Sequence, residues 1–345
     1  MTEIYSTDTD SGTLSVFEDA NGTVRKIATI RVGNAPRGSV RFTSDGRGFV
    51  SNTSANTVSE IDGLTHKEVR RIKVGNGPRG LFIVGKEKYL LVSNSGSDSL
   101  SIVDLSLGEE VRQLSTGRDP RHMAVLNEFA YVSLWGDGSI AKFDIKSLNS
   151  NDADGVALVS TIKLAPETFP YSLNIDESRN IALVACNAVR SIPVIDLKTD
   201  KVCAHIPVRA SGIRAITFSN NKKYAIATLE RDNSAAVIDL DTFEVTRYLD
   251  AGPAPRGIAT NPDNGVMYVA AFSRTTTARY DMPDWGSHGV TIINADSDAL
   301  SNRNLKVETT TVKSGFGPCS VSLFDPVSAR FVRENLEEKV QYKSL

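Results

Sequence analysis

The chain has 345 residues, 40% of them hydrophobic, and a formal net charge of −2. That balance describes an ordinary globular protein and excludes a general binder of nucleic acid or of membrane surfaces, which would carry a basic excess. No apolar run approaches the roughly 20 residues that span a bilayer.

Residues 1–12 are polar, with Glu3, Asp8 and Asp10 among them, and lack the basic start and apolar centre of a signal peptide. Three scattered cysteines (Cys186, Cys203, Cys319) form no CxxC pair and no disulfide framework. They suit a reducing compartment, so the expected setting is the cytoplasm.

Taken in chain order, short runs rich in β-branched residues and bounded by Gly, Asp, Asn or Ser predict strands at 3–6, 13–18 and 24–32. A turn then reads Gly-Asn-Ala-Pro-Arg-Gly and ends at Gly38. It is followed by four runs, 39–43, 48–52, 57–62 and 68–74. The turn returns as Gly-Asn-Gly-Pro-Arg-Gly ending at Gly80 and as Gly-Arg-Asp-Pro-Arg-His ending at His122, so that Pro36, Pro78 and Pro120 are spaced 42 residues apart. Looser copies are Ser-Gly-Ile-Arg-Ala ending at Ala215 and Gly-Pro-Ala-Pro-Arg-Gly ending at Gly257.

The second repeat predicts strands at 81–84, 89–94, 99–104 and 110–114. The third predicts 123–126, 130–134, 139–144 and, after an insertion at 145–155, 157–164. The fourth gives 171–175, 181–185, 191–196 and 202–208, and the fifth 214–218, 224–228, 235–239 and 244–249. The sixth starts at 257–260 and 266–271, turns irregular, and ends near 306–312. One strand, 320–324, is left over, and the three N-terminal strands complete it.

Four antiparallel strands per repeat of this length define a propeller blade. The expected fold is therefore all-β, a seven-bladed β-propeller occupying 1–326, with its last blade built from 1–32 plus 313–326. Pairing the two termini closes the ring and removes exposed sheet edges. Residues 327–345 form a tail, expected as a short amphipathic helix on the spacing of Phe331, Val332, Leu336 and Val340.

The runs Val-Gly-Asn-Gly-Pro-Arg-Gly ending at Gly80, Leu-Val-Ser-Asn ending at Asn94 and Ser-Ile-Val-Asp ending at Asp104 resemble the YVTN repeat. The resemblance extends over nearly the whole chain, is weakest at 274–305, and implies a seven-bladed propeller similar to YncE-like proteins. Many members of that family are exported, whereas no export signal is read here. The fold alone does not choose a function, because propellers host binders, scaffolds, lyases and lactonases.

The residue after each proline is expected at the mouth of the central channel. Around the ring it reads Arg37, Arg79, Arg121, Tyr171, Arg214, Arg256 and Cys319. Five convergent guanidinium groups repel one another unless compensated, and Asp119, Glu167 and Glu230 are the carboxylates expected on the same rim. Without sufficient compensation the mouth suits a carboxylate or phosphate, which arginine grips with paired hydrogen bonds.

The turns between second and third strands bring Asn52, Asn94, Trp135, Asn187, Glu230, Arg231 and Phe272 to this rim. With Phe169, Tyr171 and Phe316 they supply aromatic walls. If 289–294 is the third strand of the sixth blade, residues 273–288 form an insertion on that rim, long enough for a lid.

No strong catalytic motif, dinucleotide fingerprint or metal-ligand spacing appears. Glu230 is a candidate general base, with His122 or His288 as its acid partner, and Cys319 a candidate nucleophile. Each of these residues could equally be structural. No cofactor is expected, and a divalent metal stays open. Three readings follow: a binder of an anionic small molecule, aromatic or not; an enzyme at the same site, either an acid–base lyase or cyclase or a lactonase; and a protein-interaction scaffold using the blade rims.

Overall fold

The computed structural model describes residues 2–20, 22–272, 289–295, 297–302 and 304–343. Its strands form seven four-stranded antiparallel sheets. Six follow one another along the chain, beginning with Pro36–Phe42, Pro78–Val84, Pro120–Leu126, Pro170–Asp176, Ile213–Phe218 and Pro255–Thr260. The seventh has the order Pro318–Phe324, Thr2–Asp8, Thr13–Ala20, Thr23–Arg31. The C-terminal strand thus pairs with the N-terminal one, from Glu3 opposite Phe324 to Asp8 opposite Pro318, and closes the ring as expected.

Strand alternation explains the packing. The second strand of each blade is buried on both faces, as in Leu90, Leu91 and Val92, and reads as a continuous apolar run. The outermost strand alternates, as in Glu109–Ser115, with one face on the neighbouring blade and one in water. The large buried clusters lie between successive sheets. One runs from Ile181 and Leu183 to Ala236 and Ile238, joining the fourth and fifth blades.

The seven incoming turns share one backbone conformation. The residue before Pro36, Pro78, Pro120, Pro170, Ile213, Pro255 and Pro318 has positive φ in every case: Ala35, Gly77, Asp119, Phe169, Gly212, Ala254 and Gly317. Glycine takes this region freely, while Ala35, Phe169 and Ala254 (φ 54°, 50° and 44°) adopt it against their Cβ preference. The turn is imposed by ring geometry, and four of its seven residues are not glycine.

Two expectations shift. The Pro-Arg pair lies inside the first strand, not in the turn before it, because Pro36 pairs with Asn52 and Arg37 with Ser51. The insertion after the third strand of the third blade contains a short 3-10 helix, Lys146–Ser150, whose Leu148 enters the core of the second and third blades.

The tail is a helix, Pro326–Lys343. Of the apolar residues singled out from the sequence, Phe331 and Leu336 stay 68% and 49% exposed and Val332 is half-buried. Ala329 is buried, and the Arg333 guanidinium donates to both Asp62 carboxylate oxygens and to the Asp45 carbonyl. Among the described residues no helix is long and apolar enough to cross a membrane. The three cysteines are free thiols, with Cys186 and Cys319 buried and Cys203 exposed.

Candidate functional site

The slot residues are positioned through their backbones. The Ser51 hydroxyl lies 2.6 and 2.7 Å from the carbonyls of Arg37 and Arg79. Ser93 donates to the Arg121 carbonyl, Ser133 reaches Tyr171 at 3.0 Å, and Thr228 reaches Arg256 at 2.6 Å. The fourth and sixth blades have Ala185 and Ala270 where the others carry this hydroxyl, and in the fourth Ser172 of the first strand donates to the Arg214 carbonyl at 2.8 Å. The serine of the Val-Ser-Asn run therefore ties one blade to the channel strand of the next, leaving the side chain of the slot residue free to face the axis. The neighbouring Asn52 and Asn94, expected on the rim, are buried and donate to Thr57, Ser59, Ser99 and Ser101 inside their own blades.

Adjacent first strands approach closely. A Cβ at Gly80 would sit 2.5 Å from the Arg121 carbonyl oxygen, and one at Gly38 (φ +70°) 2.5 Å from that of Arg79. The third blade carries His122 at this position, and its imidazole lines the channel.

The channel encloses a cavity of about 550 Å³. Its walls include His122, Tyr171, Arg214, Arg256 and Cys319, and among the described residues no Asp or Glu lines it. At the mouth the arginines fall into two groups. Glu230 holds one: its carboxylate accepts from Arg214 Nε at 2.5 Å and from Arg256 Nε at 2.7 Å. Arg256 also stacks over the Phe272 ring at 3.4 Å and is only 8% exposed. Burial raises the Glu230 pKa, but Arg256 and Arg214 outweigh it and hold the carboxyl below its ordinary value.

The other group is Arg37, Arg79 and Arg121. Arg121 pairs with Asp119 at 2.6 Å and lies over the rings of Trp135 and Tyr171 at 4.6 and 5.8 Å. Trp135, Phe169 and Tyr171 form a continuous aromatic wall, with centroids 5.3 and 5.8 Å from Trp135. Arg37 and Arg79 have no carboxylate within ion-pair distance among the described residues, and Arg79 Nε is buried without an acceptor. Burial, with Arg121 and Arg37 beside it, pushes Arg79 down to about 10. Glu167, expected as a third compensating carboxylate, is exposed and makes no ion pair among the described residues.

His122 packs against Tyr171 at 5.2 Å and has no side-chain hydrogen bond among the described residues. Burial and the charges of Arg79, Arg121, Arg41 and Arg214 push it down to about 3, so the imidazole is neutral across physiological pH. Cys319 is buried; burial raises its thiol, but Arg256 and Arg37 outweigh that and the net direction is down. Arg231 is exposed and donates to Ser211. Phe316 is half exposed.

Gly289–Asn294 is the third strand of the sixth blade, pairing with Met267–Ala271 and Glu308–Lys313. The candidate lid at 273–288 and His288 within it lie outside the described residues. Among the described residues no group of three or more His, Cys, Asp or Glu is placed to hold a metal ion.

Sequence reasoning missed Arg41. It lines the cavity below the mouth, its Nε donates to the Leu81 carbonyl at 3.0 Å, and its guanidinium lies 5.0 Å from the Phe82 ring centre. A count along the repeat puts Val40 at this depth. The first blade has one extra residue in its bulge, with Pro36 paired to Asn52 and Arg41 to Phe49, whereas Pro78 pairs with Asn94 and Phe82 with Leu91.

Fold and site thus define a seven-bladed propeller with a cationic channel mouth. Residues 26–178 match the family model described as YNCE-like beta-propeller. That is the family its repeats resemble, and the match spans a little under half of the chain.

No curated protein matches the chain. Solved structures share its fold. The Kuenenia stuttgartiensis hydrazine synthase is 19% identical with a TM-score of 0.66, the match covering 88% of this chain and 92% of that one. Two proteins described as candidate 6-phosphogluconolactonases follow. The one from Bacteroides uniformis is 13% identical, with TM-score 0.74 and coverage of 94% and 99%. The one from Bacteroides fragilis is 15% identical, with TM-score 0.73 and coverage of 94% and 98%.

Proposed function

We propose that this propeller binds an anionic small molecule, a carboxylate or phosphate, at its channel mouth. The observation that carries this reading is the pair Arg37 and Arg79. Among the described residues neither guanidinium has a carboxylate within ion-pair distance, the two stand close enough to repel each other, and Arg79 Nε is buried with no acceptor. An unpaired buried charge is costly unless an external partner supplies the missing acceptors. A carboxylate or phosphate does so bidentately, and Trp135 and Tyr171 give a planar ligand an apolar face to lie against.

The test is a thermal-shift and calorimetric screen of organic acids and inorganic and organic phosphates. Parent protein is compared with the Arg37→Ala, Arg79→Ala double variant. Stabilisation of the parent by one class of anion, lost in the double variant, supports the reading. Equal shifts in both proteins, or none in the parent, sink it.

A second reading is hydrolysis or proton transfer at the same place, and His122 favours it. A neutral imidazole without a partner is free to take a proton, and an anion bound at Arg79 would raise its basicity by cancelling the field that depresses it. Glu230 is the poorer base, since two arginines already occupy it. Loss of lactone-hydrolysing or lyase activity in His122→Ala with anion binding intact would support catalysis. An inert parent leaves the binding reading alone.

The remaining expectations, a cytoplasmic setting, no resident cofactor and a scaffold role for the rims, have no observation of comparable weight behind them.

A further inference from the structure

We propose that the channel carries a second anion subsite at Arg41, below the mouth, so that its ligand is an elongated molecule with an acidic group at each end. The inference rests on the binding reading above and names the class of ligand.

Strand register defines the two levels. The residue paired three positions before the end of each second strand is Arg41, Phe82, Ala124, Asn174, Thr217, Ala259 and Ser322 in turn. All seven line the cavity, and Arg41 is the single charged member of this ring. Arg37 pairs with Ser51 and Arg41 with Phe49, so the two levels are separated by two residues of the partner strand, about 7 Å along it.

Arg41 is held in place without being neutralised. Its Nε is bonded to a backbone carbonyl and its plane lies against Phe82, which fixes the guanidinium. Among the described residues no carboxylate lies within ion-pair distance, and the bond from Nε to the Leu81 carbonyl is the one hydrogen bond its guanidinium makes. Burial pushes its pKa down, as expected of a cation without a partner. Around it the ring offers the Asn174 amide and the hydroxyls of Thr217 and Ser322, while Thr217 bonds Thr260 across the next blade. A rigid cation at one depth and a pair of cations at another select for two anionic groups at a fixed separation.

The experiment measures binding of a chain-length series by calorimetry: oxalate, succinate, glutarate and adipate, with valerate and hexanoate as single-acid controls. A dicarboxylate long enough to reach both levels is expected to bind roughly tenfold or more tighter than its single-acid control, and oxalate no better than one charge cluster allows. Arg41→Met should abolish the advantage while leaving valerate and hexanoate within about twofold. Arg79→Met should weaken every member.

A parent that binds single acids and dicarboxylates of all lengths alike overturns the second subsite and leaves the binding reading standing. So does an Arg41→Met variant that loses both kinds of ligand equally. A parent that binds no member overturns the second subsite, and overturns the binding reading with it when the phosphates of the screen above fail to bind as well. The length dependence is read on the parent, so the outcome does not depend on the variant folding.

Discussion

The two halves of the channel mouth use one residue type to opposite ends. On one side Arg214 and Arg256 share Glu230, and Phe272 covers the second guanidinium. On the other, Arg37 and Arg79 have no carboxylate within ion-pair distance among the described residues, and Arg121 pairs with Asp119. The repeat supplies an arginine to five of seven blades because the turn and the blade-to-blade serine tie tolerate any side chain pointing to the axis. Compensation comes from outside the repeat, from a residue such as Glu230 that one blade has and the others lack. An arginine in the slot is thus structural or available according to its neighbours.

Removing Glu230 should give the largest effect. Glu230→Gln takes away the negative charge that both guanidinium groups share and replaces one of the two acceptor oxygens with an NH2 donor, a loss of about 3–5 kcal/mol by analogy with broken buried ion pairs. Chemical denaturation should show a midpoint far below the parent's. If the variant is as stable as the parent, the compensated half is not what it is described to be here. The pH dependence follows from the same carboxylate. Its folded pKa lies below the ordinary 4.5, so its contribution is complete above that value and is lost as pH falls through the lower, folded value. The acid arm of parent stability should therefore be steeper than that of Glu230→Gln.

The opposite substitution sharpens the contrast. Arg79→Met removes a cation whose burial no partner offsets, so without ligand its stability should equal or exceed the parent's by about 1 kcal/mol. Arg256→Met, which strands part of Glu230, should be destabilised. Adding the anion found in the screen should reverse the order of parent and Arg79→Met. At a hundredfold excess over Kd the parent gains about 2.7 kcal/mol and the variant little. Melting curves with and without ligand check both statements, and a destabilised ligand-free Arg79→Met would count against an available charge.

Much of this was legible from the chain. Proline spacing and four short runs per repeat give the blades, and the unpaired last strand with three N-terminal runs gives the closure. The slot itself follows from Arg37, Arg79 and Arg256. Two features were hidden, for physical reasons. Arg41 reaches the channel only because the first-blade bulge holds one extra residue, and the 42-residue spacing of the prolines conceals that insertion. The pairing of Arg214 and Arg256 with one carboxylate depends on side-chain reach between blades, which no periodicity encodes. The tail helix was legible from its spacing, whereas its anchor was not, because Arg333 holds it through Asp62 and ion pairs between distant segments leave no periodicity.

The smallest expected effect lies on the seam between the two halves. His122 stands where the first, second and sixth blades have glycine, and its proton affinity is set by burial first and then by charge from both sides, with Arg79 and Arg121 ahead of Arg214. At about 3 in the folded chain against an ordinary 6.5, it refuses a proton that the unfolded chain accepts, so this group lowers stability progressively as pH falls from about 6.5 toward 3. NMR of the imidazole carbons should show one histidine of the four that stays neutral between pH 5 and 8. Arg79→Met should raise its midpoint, and a bound anion should raise it further by cancelling Arg79 and Arg121 together. Glu230→Gln should lower it, because Arg214 then acts unopposed. Opposite shifts from two substitutions on opposite sides of one ring would locate His122 between an available and a neutralised set of arginines; a midpoint indifferent to both would place its suppression in burial alone.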